Sequence, residues 1–280
     1  VVLFEARPKL GGLNEYGLAS YKTTNNFAQK EVEWLLSIGG IEVRTGQQLG
    51  RDITLDSLLD AFDAVFLGLG LQGVNALGVA EPTATGLRNA VDFIAELRQS
   101  PDLSTLPVGR RVVVIGGGMT AVDAAVQSRK LGAEEVTIVY RRGAEAMSAS
   151  AVEQQWAQTN GVTIRHWAAP KEVLSENGAV KGVRFAATAL SSGKLVETGE
   201  TFTLDADMVL KAIGQTFVAE PVGNRIALEG GRIATDAEGQ TSLARVWAGG
   251  DCRVGGRDLT VEAVEHGKVA AVSIHAALMA

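Results

Sequence analysis

The stretch VVVIGGGMTAVDAAVQSRKLG, Val112 to Gly132, decides how this chain is read. Four β-branched residues, Val112–Ile115, predict a buried parallel strand, and three glycines end it. A helical pattern then runs from Met119 to Leu131. The spacing G-x-G-x-x-A falls on Gly116, Gly118 and Ala121. Gly116 allows the sharp turn, Gly118 admits a pyrophosphate without a Cβ in its way, and Ala121 keeps the helix close to the strand. The helix N-terminus offers free N–H groups and the positive end of its dipole to phosphate oxygens. Gly116, Gly117, Gly118, Met119, Thr120 and Ala121 are therefore the candidate nucleotide-binding run. The spacing alone is a weak signal. Here it sits between a strand and a helix, with a second strand at the right distance.

That second strand, EEVTIVYRR, ends in Arg141 and Arg142. A site for NAD usually places an acid near this tip to hold both ribose hydroxyls. Guanidinium forks suit a 2′-phosphate, so these arginines lean towards NADP. Some NAD enzymes tolerate arginines here, and both cofactors stay open.

The chain begins VVLFEARPKLGG, Val1 to Gly12. An apolar strand tipped by Glu5 and followed by Gly11 and Gly12 reads as the second strand of another dinucleotide unit, with Glu5 as its ribose-binding acid. The first strand and glycine loop of that unit belong about 20 residues earlier. Further strands are expected at 64–70, 111–118, 134–142 and 161–167, and helices at 26–38, 90–97, 119–131 and 151–158. Such alternation predicts a parallel sheet with helices on both faces. From about 171 to 205 the period changes. Asn177-Gly178 lies between two strand-like runs, a hairpin signal, and a small antiparallel meander is expected. TSLARVWAGGD is a last strand reaching a Gly-Gly-Asp tip, and a terminal helix is expected over 260–278.

Composition narrows the function class. The 280 residues are 46% hydrophobic with a formal net charge of −6, which gives no electrostatic footprint for nucleic acid or an anionic membrane. No apolar run approaches the roughly 20 residues that span a bilayer. No leader peptide is legible, so a cytoplasmic location is expected. Cys252 is the only cysteine and the three histidines are scattered, so no metal site and no disulfide pair is expected. No Ser/His/Asp or paired-carboxylate pattern asks for a catalytic acid or base, and no catalytic side chain is assigned.

In this order, an acid-tipped strand with Gly-Gly, a complete nucleotide unit and a late VWAGGD, the chain resembles flavoprotein reductases with two dinucleotide domains. Within them it resembles the glutamate synthase small-subunit group. GGLNEYGLASYK (Gly11–Lys22), VIGGGMTAVDAA (Val114–Ala125) and VTIVYRRGAEAMSAS (Val136–Ser150) resemble most closely the flavoprotein subunits of bacterial NAD-dependent dihydropyrimidine dehydrogenases. The resemblance implies an α/β fold of two Rossmann-like domains in three layers, one for FAD and one for NAD(P)H, with a small β-meander. It implies that Glu5 holds the FAD ribose and that Gly11 and Gly12 let the next loop pass close to the flavin nucleotide. Gly250 and Asp251 would form the Gly-Asp motif on the ribityl or pyrophosphate side. Thr260 and Val261 would start a helix aimed at the flavin's pyrimidine edge.

The expected domains are 1–72 plus 236–280 for FAD and 108–235 for NAD(P), with 73–107 as a crossing helix and linker. The chain is expected to be N-terminally truncated, with Fe–S clusters and the first FAD strand in the missing region. The activity implied is hydride transfer from NAD(P)H to FAD, then electron transfer through Fe–S clusters to a pyrimidine-reducing partner subunit. One alternative is the NADPH small subunit of glutamate synthase, working with its large subunit. Another is a nucleotide-binding fragment without catalysis.

Overall fold

The computed structural model describes residues 1–280. The chain starts with β1 (Val2–Glu5), α1 (Gly12–Tyr16), α2 (Phe27–Leu36) and β2 (Glu42–Thr45). Then come α3 (Leu55–Ala61), β3 (Val65–Leu67), β4 (Leu87–Asn89) and α4 (Ala90–Gln99). A βαβαβ run follows: β5 (Arg111–Ile115), α5 (Met119–Lys130), β6 (Glu135–Val139), α6 (Ala151–Thr159) and β7 (Val162–Arg165). Next are three long strands, β8 (Ala168–Glu176), β9 (Ala179–Ser191) and β10 (Lys194–Asp205). The chain closes with β11 (Met208–Lys211), β12 (Val246–Ala248) and α7 (Thr260–Met279).

The chain divides into two compact units. The first is Val1–Gly12, Ala28–Gly73 and Gln215–Ala280, and the second is Leu13–Phe27 and Val74–Gly214. These bounds differ from the expected domains for a packing reason. Phe93, Ile94 and Leu97 of α4 are buried in the core of the second unit, so the helix read as crossing between the domains packs there. Val222, Ile226 and Ile233 are buried in the core of the first unit, so the return crossing comes at Gly214 rather than at 235.

The second unit holds a five-stranded sheet in the order β4-β11-β5-β6-β7, every neighbouring pair parallel. Side chains alternate along each strand, so the two faces meet different partners. Val112, Val114, Val136 and Ile138 pack with Phe93 and Ile94 of α4 and with Ala121, Val122 and Ala125 of α5. Val113, Ile115, Val139 and Val209 pack with Val173, Val183 and Phe185 of the antiparallel sheet β10-β9-β8. The second face is thus covered by the meander, where helices were expected. Three layers remain: helices, parallel sheet, antiparallel sheet. The β8–β9 hairpin turns at Asn177-Gly178, both at positive φ, as that dipeptide requires.

Residues 13–27 join this unit through buried polar groups. The Asp123 side chain on α5 is 3% exposed. Its carboxylate accepts from the Tyr21 hydroxyl at 2.8 Å and from the Lys22 ammonium at 2.9 Å. Ser20 N donates to Gln127 Oε1 at 3.1 Å. Arg98 of α4 donates to the carbonyls of Glu15 and Leu18 and to the Thr23 hydroxyl.

In the first unit, β1 pairs in parallel with β2, and β3 in parallel with β12. The core lies over β3 and β12, where Leu55, Leu58 and Leu59 of α3 meet Val65, Leu67, Val246 and Ala248. The sequence reading assigned no element to α3 or β2. A capping box starts α3: Thr54 Oγ1 accepts from Ser57 N, and Ser57 Oγ accepts from Thr54 N, both at 3.1 Å.

Candidate functional site

In each unit the candidate residues follow the carboxyl ends of parallel strands, β5 and β6 in the second unit and β1 and β12 in the first. In open α/β sheets this carboxyl edge is where ligands bind.

In the second unit, β5 ends at Ile115 and the chain turns through Gly116 at φ +148°. A Cβ on Gly116 would collide with the Ala212 carbonyl oxygen, so only glycine fits. Gly117 lies against Tyr140, whose ring a Cβ would meet at 2.5 Å. Gly118 is the N-cap of α5 and supplies no side-chain cap. A Cβ on Gly118 would face only the Ser148 hydroxyl, at 3.2 Å. The first-turn N–H groups of Met119 and Thr120 are thus the orphan donors of a twelve-residue helix. Ala121, fully buried, seats that helix on the sheet. These features fit a pyrophosphate: an open cradle, uncapped amides and the positive helix end.

Arg141 and Arg142 follow β6, at the next strand tip, and both are exposed. Their backbones are fixed, because the Arg141 carbonyl accepts from the Thr188 hydroxyl at 2.8 Å and the Arg142 carbonyl from Trp167 N at 3.3 Å. Neither guanidinium pairs with a carboxylate of the chain, so both are available to an anionic ligand. Tyr140, which sequence reasoning passed over, fills the position before them. Its hydroxyl donates to the Ala146 carbonyl at 2.7 Å, which draws the loop after β6 back towards Gly117. The same loop is tied by Ala149 N donating to the Gly117 carbonyl at 3.0 Å.

In the first unit, Glu5 ends β1, half-buried, and its carboxylate accepts from Arg7 N at 2.8 Å. Gly11 and Gly12 follow, both at positive φ, and a Cβ on Gly12 would meet nothing within 4 Å. After β12 comes Gly249-Gly250-Asp251, held by several backbone approaches. A Cβ on Gly249 would meet Phe66 at 2.7 Å and His266 at 2.9 Å. Gly250 sits at φ +78°, and Gly256 crosses against its carbonyl so closely that a Cβ there would overlap it. Burial raises the Asp251 carboxyl above its ordinary value, the nearby Asp258 adds to this, and Arg232 opposes it. Cys252, fully buried, directs its thiol to the Gly249 carbonyl at 3.1 Å, and burial pushes that thiol up. It acts as a small anchor for the loop. Thr260 and Val261 open α7, whose N-cap Leu259 supplies no side-chain cap.

The structure therefore brings Gly116–Ala121 together with Arg141 and Arg142 in one unit. It places Glu5, Gly11, Gly12, Gly250, Asp251, Thr260 and Val261 in the other. His266 and Gly256, which secure the Gly250 turn, were missed. Their only trace in the sequence is a position one turn along α7 from Glu262 and a lone Gly-Gly after Cys252.

Comparisons with known proteins agree with this architecture. The model of the family described as pyridine nucleotide-disulphide oxidoreductase matches residues 5–267. The beta subunit of NADP(+)-dependent formate dehydrogenase from Moorella thermoacetica is 34% identical, over 98% of this chain and 40% of the relative. The NADPH glutamate synthase small chain of Escherichia coli (strain K12) is 32% identical, over 98% of this chain and 62% of the relative. The chain thus spans only part of the length of these relatives. Among solved structures, FprA of Mycobacterium tuberculosis in complex with NADPH aligns with a TM-score of 0.80 at 19% identity. That alignment covers 99% of this chain and 77% of FprA. Thioredoxin reductase of T. acidophilum aligns with a TM-score of 0.75 at 19% identity, covering 100% and 91% of the two chains. At these identities the solved structures speak for the fold, two Rossmann-like domains, while the family match covers nearly the whole chain. The chain belongs to the pyridine nucleotide-disulphide oxidoreductase family.

Proposed function

We propose that this chain is the FAD-dependent, NAD(P)H-oxidising module of an enzyme of the glutamate synthase small-chain type. The observation that carries the reading is the pair of cradles at strand carboxyl edges, one in each unit. Each is built where a Cβ would strike backbone, at Gly116 and at Gly256. Arg141 and Arg142, unpaired and exposed at the tip of β6, favour NADPH over NADH. FAD, when bound, would supply the redox chemistry of accepting hydride from the pyridine nucleotide.

The chain's own residues bind and orient. The uncapped N-terminus of α5 holds the pyrophosphate of the pyridine nucleotide, and Ala121 fixes the distance between that helix and β5. Glu5 takes the ribose hydroxyls of the FAD adenosine, with one carboxylate oxygen already engaged by Arg7 N. The Gly250–Asp251 turn would hold the ribityl side of the flavin nucleotide. The N-terminus of α7 would stabilise negative charge at the flavin's pyrimidine edge. No side chain of the chain is required as a catalytic acid or base. Disulfide chemistry is not proposed, because Cys252 is the only cysteine of the sequence, and its thiol is buried and raised.

The acceptor of the electrons would be a partner subunit. The pyrimidine-reducing partner read from the sequence and a glutamate synthase large subunit are the two candidates, and reconstitution with each separates them. The reading is tested by an absorption spectrum of the chain with added FAD, before and after anaerobic NADPH. A flavin spectrum that bleaches supports it. A chain that binds labelled NADPH yet takes up no FAD reduces it to a nucleotide-binding fragment.

A further inference from the structure

The Gly249-Gly250-Asp251 turn is held by one side chain that the function proposed above does not use. His266 lies on α7, its side chain mostly buried. Its Nδ1 accepts a hydrogen bond from Gly250 N at 3.2 Å. That role requires the proton of the neutral ring on Nε2. Nε2 in turn faces Glu262 Oε1, one helical turn back, at 3.9 Å. Glu262 is itself held by Arg257, which donates from Nε at 2.7 Å and from its backbone N at 3.2 Å. The hydrogen bond and charge of Arg257 keep the Glu262 carboxyl below its ordinary value. A chain of contacts thus runs from Arg257 through Glu262 and His266 to the amide of Gly250.

The amide at the end of this chain has few alternatives. Gly250 is in the left-handed region, with Gly256 packed on its carbonyl and His266 beside the Cβ position of Gly249. This part-buried N–H, left without an acceptor, would draw the turn towards water.

We propose that His266 is the positioning residue of the flavin-side turn: its neutral imidazole holds the Gly250 amide and thereby aims Asp251, and its protonation releases both. A protonated ring donates from both nitrogens, so Nδ1–H and the Gly250 N–H would oppose each other. Histidine is the side chain whose charge changes between about pH 5 and 8. Charged groups of both signs lie around it. Glu262, with Arg257 bonded to it, faces Nε2, and Asp251, with Asp258 and Arg232 near it, lies beyond Gly250. On the β3 side, the Phe66 ring and the His266 Cβ both lie against Gly249. This inference rests on the first unit being a flavin site, and its test separates the two ideas.

The first measurement is the tautomer of His266 and the Gly250 amide shift by NMR on the 280-residue chain without flavin. The expected result is a proton on Nε2 and a Gly250 amide that titrates with the His266 midpoint. A proton on Nδ1, or a Gly250 amide that ignores the midpoint, overturns the proposal whatever the flavin does. The second measurement is FAD affinity by fluorescence titration over the same pH range for wild type, His266→Asn and His266→Phe. Asn keeps an acceptor oxygen near the place of Nδ1 and has no proton to gain. Wild type should weaken roughly fivefold as the ring protonates. His266→Asn should stay flat with pH, and His266→Phe should be weak throughout. Superimposed pH profiles for wild type and His266→Asn overturn the proposal. An intact hydrogen bond from Gly250 N to Nδ1 of His266 with no FAD uptake at any pH supports the positioning role of His266 and overturns the flavin reading instead.

Discussion

Arg141 and Arg142 stand at the tip of β6 with nothing of the chain's own to neutralise them. A charge-assisted bond to a phosphate contributes about 1.5–3 kcal/mol, or roughly a 10- to 150-fold effect. Arg141→Ala should therefore raise KM for NADPH by at least about tenfold and leave KM for NADH nearly unchanged. Equal effects on the two donors would remove the 2′-phosphate from the account. Gly116 makes a different prediction. Its Cβ would strike a backbone carbonyl, and its φ of +148° is one that L residues rarely adopt. Gly116→Ala should cost several kcal/mol, on the order of 3. Both the melting temperature and NADPH binding should fall, whereas Gly12→Ala, where a Cβ meets open space, should cost only its φ strain. These positions were legible because their reasons are local. A strand, a tight turn and a helix start lie within ten residues, so 111–118 could be assigned from pattern alone. Tyr140 and His266 were not legible, since their work is done on Ala146 and Gly250 through folded geometry.

The elements that matter most are α5 and the segment fastened to it. Helix α5 was expected over 119–131 and runs Met119–Lys130, because glycines bound it on both sides. That the α1 region packs on α5 could not be read. The bond that decides it, Tyr21 to Asp123, spans 102 positions. Burial lifts the Tyr21 phenol far above its ordinary value, the Asp123 charge lifts it further, and the group stays a neutral donor. Burial pulls the Lys22 ammonium down, but Asp123 and Glu153 outweigh this and leave it raised. Asp123→Ala would remove the acceptor of the Tyr21 hydroxyl and one of the two carboxylate partners of Lys22. A loss of about 1.5–3 kcal/mol is expected, which lowers the melting temperature by roughly 3–12 °C. Glu153 adds a pH dependence. Burial alone would raise its carboxyl, yet Ser150 N and Lys22 bring it below the ordinary value of 4.5. Its contribution is therefore complete above the unfolded value and is lost as pH falls through the lower, folded one. Glu153→Gln should flatten the fall of melting temperature between about pH 5 and 3. An unchanged slope would show that the contact with Lys22 carries no net stability.

At the scale of the molecule, the two units differ in how their strands are joined. The second has five strands in one continuous sheet, buried on both faces. The first has β1–β2 and β3–β12 as separate two-stranded ladders. Hydrogen exchange should show this, with the amides of Val112–Val114 the slowest in the chain and those of Val2–Phe4 exchanging through far smaller openings. Similar protection in both would contradict it. The α/β pattern and the meander were legible at this scale, since each rests on periodicity and turn residues. The bounds of the units were not, because burial of Phe93 or Ile233 is settled by neighbours distant in sequence.

The chain passes between the units four times, after Gly12, Phe27, Gly73 and Gly214. The nucleotide-binding half is therefore not a cassette. A gene segment encoding 74–214 would leave behind the fifteen residues whose Tyr21 and Lys22 satisfy Asp123, and its product would lack the segment that covers α5 there. Shuffling, splitting or fusing this protein at the obvious sheet boundaries should yield insoluble pieces. The same cuts with residues 13–27 supplied by a tether should not.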